Sequence, residues 1–104
     1  MAKVIGAYIR ECAGIQLPPD EERLITAIAK EVFERPGCLD MGNWHCGTSH
    51  CLAGHACLID PTAKRLEEQF HTGLAGAAVI PSYAHLFFRD NEEVLYVLNQ
   101  KINQ

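Results

Sequence analysis

A chain of 104 residues is short for two ordinary domains and long enough to bury a core without disulfide or metal staples. Folding at this length removes roughly 65% of the unfolded chain's surface from water. Charged residues make up 21% and apolar residues 48%, which fits a soluble globular chain and excludes a disordered one. Nine Lys and Arg against thirteen Asp and Glu leave a net charge of -4, with no long-range pull toward a phosphate backbone or an anionic leaflet. Neither nucleic acid nor membrane is therefore the expected partner.

The first segment places Val4, Ile5, Tyr8, Ile9 and Cys12 at helical spacing, with Gly14 as a stop; a short strand over Val4 to Ile9 is the alternative. Pro18-Pro19 resets the chain. Asp20, Glu21 and Glu22 then occupy a helix's first turn, where carboxylates meet the positive end of its dipole. Leu24, Ile25, Ile28, Ala29, Val32 and Phe33 form one apolar stripe, ended by Pro36-Gly37. A third helix is expected to begin at Thr48 or Ser49, with one of these as its cap, and to run to about Leu58. Asp60-Pro61 opens a fourth over Thr62 to His71, with Leu66 and Phe70 facing inward and Gly73 closing it. Leu74 to Ile80 reads as a tightly packed helix, with a buried strand as the alternative, and Pro81-Ser82 starts a short turn carrying Tyr83, Leu86 and Phe87. Asp90 with Glu93 is a capping-box pattern for a last helix holding Val94, Leu95, Val97, Leu98 and Ile102. No alternating strand pattern stands out. The expected fold is all-α: a single compact domain over residues 1–104, with five to six short helices around a central buried helix.

Five cysteines, an odd number, are too few for a secreted disulfide scaffold, and the N-terminus shows no signal h-region. Both features point to a reducing cytoplasm. The longest apolar stretch, Leu74 to Ile80, is far too short to cross a bilayer.

The segment from Pro36 to Ile59 carries one charged residue, Asp40, yet holds Cys38, Cys46, Cys51, Cys57, His45, His50 and His55. Any chemistry belongs here. Gly47 permits a sharp bend, Thr48 can cap, Trp44 plugs the bend, and Ala53 with Gly54 allows a second helix to come close. The stretch reads as a loop turning abruptly into a short buried helix.

These residues resemble a family of small, largely uncharacterised bacterial and phage-encoded proteins with a W-x-C-G-T-x-x-C-x-A-G-[H/W]-A run. Asp40, Met41, Trp44, Cys46, Gly47, Thr48, Cys51, Ala53, Gly54, His55 and Ala56 occupy its positions. A looser likeness covers Ala77, Ala78, Ile80, Pro81, Ala84, Leu86 and Phe87. The resemblance implies a helical fold and a shared elbow, and brings no catalytic residue with it.

Three readings of the Cys/His cluster compete. As a zinc site, Cys46, Cys51 and His55 would be the ligands, with His45, His50 or Cys38 as a fourth, although the C-x4-C spacing lacks the usual knuckle. As a thiol centre, Cys51 in a first helical turn would be the nucleophile, aided by His50 or His55, with Cys46 as its resolving partner. As plain core, Cys12, Cys46, Cys51 and Cys57 pack as small apolar groups and His55 satisfies a buried carbonyl. His71 and His85 stand apart, and Glu67, Glu68, Glu92 and Glu93 read as solvated helix faces. No phosphate loop, nucleophile elbow or metalloprotease motif is present. By subtraction the expected function is a non-enzymatic protein-binding or regulatory module without a cofactor. Its partner would be another protein or a second copy covering the excess apolar surface of the last helix.

Overall fold

The structure, a computed structural model, describes residues 20–103. The expected helix or strand over Val4 to Cys12 lies outside the described residues, as do Pro18 and Pro19. The described part is all-α apart from one small hairpin: α1 (Glu21–Glu34), β1 (His45–Cys46), β2 (Ser49–His50), α2 (Leu52–Ile59), α3 (Pro61–Gln69), α4 (Thr72–Val79), a 3₁₀ helix (Pro81–Leu86) and α5 (Asn91–Ile102).

Each start has a local cause. Asp20 accepts from the Arg23 N–H, Asp60 from the Ala63 N–H and Asp90 from the Glu93 N–H, so three carboxylates satisfy donors that their helices leave open. Pro61 and Pro81 fix the first φ of their elements. The stripe of α1 buries Leu24, Ile25, Ile28, Ala29 and Val32, while Phe33 is left half-exposed. Three expected boundaries move. Residues 48–50 belong to the hairpin and α2 starts at Leu52; α3 ends at Gln69, leaving Phe70 partly exposed; and Gly73 sits inside α4, which His71 caps by accepting from the Gly73 N–H.

Helix α2 is the centre. Leu52, Ala53, Gly54, His55, Ala56 and Cys57 are all buried, so the helix has no solvent stripe along its first six residues. It packs on α1, α3 and α4, while α5 packs on α1. Polar contacts tie α1 to the 3₁₀ helix and to α5: Glu21 accepts from the Ser82 N–H (2.7 Å) and hydroxyl, and Glu22 accepts from Tyr83 Oη (2.8 Å) and, on α5, from Lys101 Nζ (3.1 Å). The loop before the hairpin is pinned to α5, with the Met41 N–H donating to Asn91 Oδ1 (2.8 Å) and Asn91 Nδ2 to the Leu39 carbonyl (3.4 Å).

The close approaches depend on absent side chains. A Cβ on Gly76 of α4 would stand 2.8 Å from Ala53 Cβ and 3.0 Å from Phe87 Cζ, while one on Gly54 would overlap the Trp44 carbonyl. The small pair foreseen at Ala53 and Gly54 therefore serves two neighbours: Ala53 meets α4, and Gly54 meets the hairpin. Gly76→Ala is expected to cost about 1–3 kcal/mol through overpacking. Gly54→Ala should cost more, because its Cβ would overlap a backbone carbonyl oxygen more deeply than the Gly76 Cβ would overlap Ala53. Urea unfolding midpoints compared with wild type measure both.

Candidate functional site

The hairpin arises from Gly47, whose φ of +60° opens a two-residue Gly47-Thr48 turn; no described non-glycine residue has a positive φ. A glycine at the first turn position with an ordinary residue at the second is the type II′ pattern, whose twist matches the strands it joins. Thr48 thus lies exposed in the turn and caps nothing, contrary to expectation. The cap of α2 is Cys51, whose sulfur accepts from the Gly54 N–H (3.3 Å). Gly-X between two short runs was the available signal for this hairpin.

Register then decides which side chains meet. His45 pairs with His50 and Cys46 with Ser49. On its other side the backbone of His50 bonds the 38–40 segment, donating to the Cys38 carbonyl (2.8 Å) and accepting from the Asp40 N–H (2.9 Å). His45 and His50 are therefore a cross-strand pair without mutual backbone bonds, the kind whose side chains come closest. Their Nδ1 atoms are 2.7 Å apart. The same alternation sends Cys46 to the opposite face.

A row of polar groups extends from this pair. His45 Nε2 lies 2.7 Å from Glu67 Oε2 on α3, and the same oxygen accepts from Thr72 Oγ1 (2.7 Å). Burial pushes the Glu67 carboxyl up, but the hydrogen bonds from Thr72 and His45 outweigh it and hold the group below its usual range. On the inner side the His50 ring meets His55 edge-on at 5.3 Å. His50 precedes the cap of α2 and His55 is the fourth residue after it, the two positions that staple a helix start. His55 is fully buried and its Nε2 is 2.9 Å from the Cys38 carbonyl.

Proton assignments follow from what each partner can do. The Glu67 carboxylate only accepts, so His45 carries a hydrogen on Nε2, and a neutral His45 therefore presents a lone pair at Nδ1. His50 then donates from its own Nδ1. The Cys38 carbonyl likewise requires a hydrogen on His55 Nε2, which leaves His55 Nδ1 as an acceptor. That atom is buried without a hydrogen-bond partner. Burial lowers the pKa of both His50 and His55; nearby His55 and His45 lower His50 further, while the Cys38 carbonyl partly restores His55.

The residues expected to bind zinc are not gathered into one ligand set. Cys46 is exposed on the hairpin, Cys51 caps α2 and His55 is engaged with Cys38. Among the described residues no group of three or more His, Cys, Asp or Glu side chains is gathered in a way that could hold a metal ion. The thiol pair is likewise separated in character. Cys51 is buried, and burial raises its pKa as it does for Cys38 and, strongly, for Cys57. Glu67, read from sequence as a solvated carboxylate, and His71, read as isolated, are both engaged; His71 caps α4 and stacks edge-on against Trp44 at 4.9 Å.

Trp44 bounds a second feature. Its indole lies against Gly73, where a Cβ would come within 3.0 Å, and its ring meets Phe88 edge-on at 6.3 Å. Between them opens a cleft of about 290 Å³ lined by Met41, Trp44, Cys51, Phe87, Phe88 and Arg89, among others. Phe88 is 87% exposed. No protein-family model matches the chain, and comparisons with curated proteins and with solved structures give no match. None of the described helices is long and apolar enough to cross a membrane.

Two outcomes are expected. With chelator present, stability should be full above about pH 6.5 and fall as the pH drops, because the unfolded state protonates its imidazoles before the folded state accepts protons at His50 and His55. Urea midpoints between pH 8 and pH 5 should show this, at up to about 1.4 kcal/mol per pH unit from His55, and His55→Leu should flatten the slope. Brief alkylation of the native protein followed by peptide mapping should label Cys46 and spare Cys38, Cys51 and Cys57.

Proposed function

We propose that the protein is a helical binding module that captures a segment of another protein in the cleft between Trp44 and Phe88. The single observation behind this reading is Phe88, a large aromatic side chain left 87% exposed beside a second aromatic ring at the mouth of a cleft of mixed polar and apolar lining. Isolated exposed hydrophobics need no explanation, but an aromatic pair flanking a concavity has the form of an interface anchor. Arg89 lines the same cleft with its guanidinium exposed and 3.8 Å from Glu93. The complementary ligand is a partner segment that seats one apolar side chain in the cleft beside the two rings and sets an acidic residue against Arg89. The likeness of residues 44–56 to small bacterial and phage-encoded proteins is consistent with this reading, since those residues here build the hairpin and helix that hold the cleft wall.

Trp44 is the only tryptophan, so its emission reports on the cleft. Selection from a displayed random-peptide library is expected to enrich sequences with an apolar residue next to Asp or Glu. Their binding should shift Trp44 fluorescence and weaken by about 2 kcal/mol, roughly thirtyfold, in Phe88→Ala. Tyr96→Ala, on α5, serves as the control. No enrichment over a Phe88→Asp bait, or binding indifferent to Phe88, would overturn the reading. Self-association abolished by Phe88→Asp would make a second copy the occupant instead.

A further inference from the structure

The contact between His45 and His50 has room for one hydrogen and no more. Its two Nδ1 atoms are 2.7 Å apart, a separation that a single N–H closes and a second N–H excludes. We propose that this pair is a proton-operated latch on the hairpin. It stays shut with one added proton and opens when both imidazoles are charged, freeing β2 from the 38–40 segment while the helices stay folded.

Counting hydrogens fixes the two steps. In the neutral pair His45 donates from Nε2 to Glu67 Oε2 (2.7 Å) and accepts at Nδ1 from His50, whose Nε2 keeps a lone pair. A first added proton leaves one hydrogen on each Nε2 and one in the gap. The contact survives as a charge-assisted bond between two like nitrogens, with the Glu67 carboxylate beside it. A second proton sets two N–H groups and two positive charges head to head, and the contact must break. His45, now a cation against Glu67, is held by that ion pair, so His50 is the ring that gives way. It cannot retreat inward, because fully buried His55 meets its ring edge-on at 5.3 Å. Strand β2 therefore lifts, and the bonds it shares with the Cys38 carbonyl and the Asp40 N–H are the ones to open. The surrounding charges agree. Glu67 on α3 favours charge on His50, whereas His55 on α2, His45 on β1 and Arg35 beyond α1 oppose it. Glu31 on α1 acts on His55, and the Asp40 carboxylate is engaged with the Gly42 N–H and Asn43 Nδ2. Burial raises the pKa of the Cys38, Cys51 and Cys57 thiols, which stay neutral.

The experiment titrates the full ¹⁵N-labelled chain from about pH 8 to about pH 5, across the ordinary histidine range, with chelator present. Histidine ring spectra report the protons, ¹⁵N–¹⁵N coupling across the gap reports the contact, and amide exchange reports the hairpin. Coupling between the two Nδ1 atoms is expected near pH 8 and through the first step, in which both rings shift with one midpoint. It should vanish at the second step, together with protection of the His50 and Asp40 amides. The open pair binds its second proton near the ordinary value of about 6.5 and the shut pair does not. Protection is therefore full above that pH and falls below it, toward tenfold per pH unit. The amides of Ile28 and Leu98 should stay protected throughout. In His45→Gln the amide oxygen accepts from His50 whatever its charge, so the His50 and Asp40 amides should hold at a pH where wild type has lost about tenfold. Circular dichroism confirms that the variant is folded. Absence of the coupling near pH 8, two charged rings with both amides still protected, or their loss only together with Ile28 and Leu98 overturns the proposal. None of these readouts draws on the Trp44 cleft, so the latch and peptide capture stand or fall separately.

Discussion

The structure depends on the complete burial of the first six residues of α2. A helix with no solvent face must be approached from every side, and its neighbours can come close only where side chains are small. Ala53 meets Gly76 of α4, and Gly54 lies against the Trp44 carbonyl. The second contact matters more for the candidate site, because it fixes a loop rather than another helix. With that carbonyl held against α2, which also places it 3.3 Å from the Cys51 N–H, the hairpin has one seat on the helix start. Buried helix ends need partners for their open N–H groups, and here two sulfurs provide them, Met41 Sδ for Leu52 and Cys51 Sγ for Gly54, while the carbonyls of Asn43 and Trp44 accept from the Cys51 N–H.

From that seat the alternation of two short strands sorts the functional side chains. His45 and His50 share a face and meet; Cys46 falls on the other and is exposed. The row Glu67, His45, His50 and His55 thereby runs from a half-exposed carboxylate to a fully buried imidazole, crossing α3, both strands and α2. Its inner end contains an acceptor with nothing to accept, a cost usually of about 1–3 kcal/mol for a buried polar group. Such a cost placed next to the His50 ring marks this row, rather than the cysteines, as the unusual feature of the elbow.

The helices were legible because their signals are local. Asp20, Asp60 and Asp90 announce their helices by cap chemistry, and the stripe of α1 announces its buried face. The small-residue run became α4 as read, within two residues. The hairpin escapes detection because strands of two residues carry no period; Gly47 reads as a bend, while Thr48 and Ser49 read as the start of the helix. That slip moved the cap from Thr48 to Cys51 and hid the pairing of His45 with His50, which depends on register rather than spacing. Glu67 was misread for a different reason. A carboxylate on an amphipathic helix looks solvated until the tertiary fold brings a distant histidine, 22 residues earlier in sequence, against it. The cleft at Trp44 is likewise tertiary, since it joins the 41–44 loop to the turn after the 3₁₀ helix.

Trp44 and His45 are consecutive, so their side chains leave the chain on opposite sides, one toward the Phe88 cleft and the other toward His50. The Trp44 carbonyl is held by α2, which gives the two side chains a common fixed backbone and separate freedom beyond it. A ligand wedged beside the indole would press on the ring against Gly73 and Phe88, away from the His45–His50 pair. It need not displace the hairpin from its seat, because moving it would open the Gly54 contact that closes the core. The indole can therefore respond to its surroundings while the histidine row keeps its register, as long as the Gly54 contact is rigid.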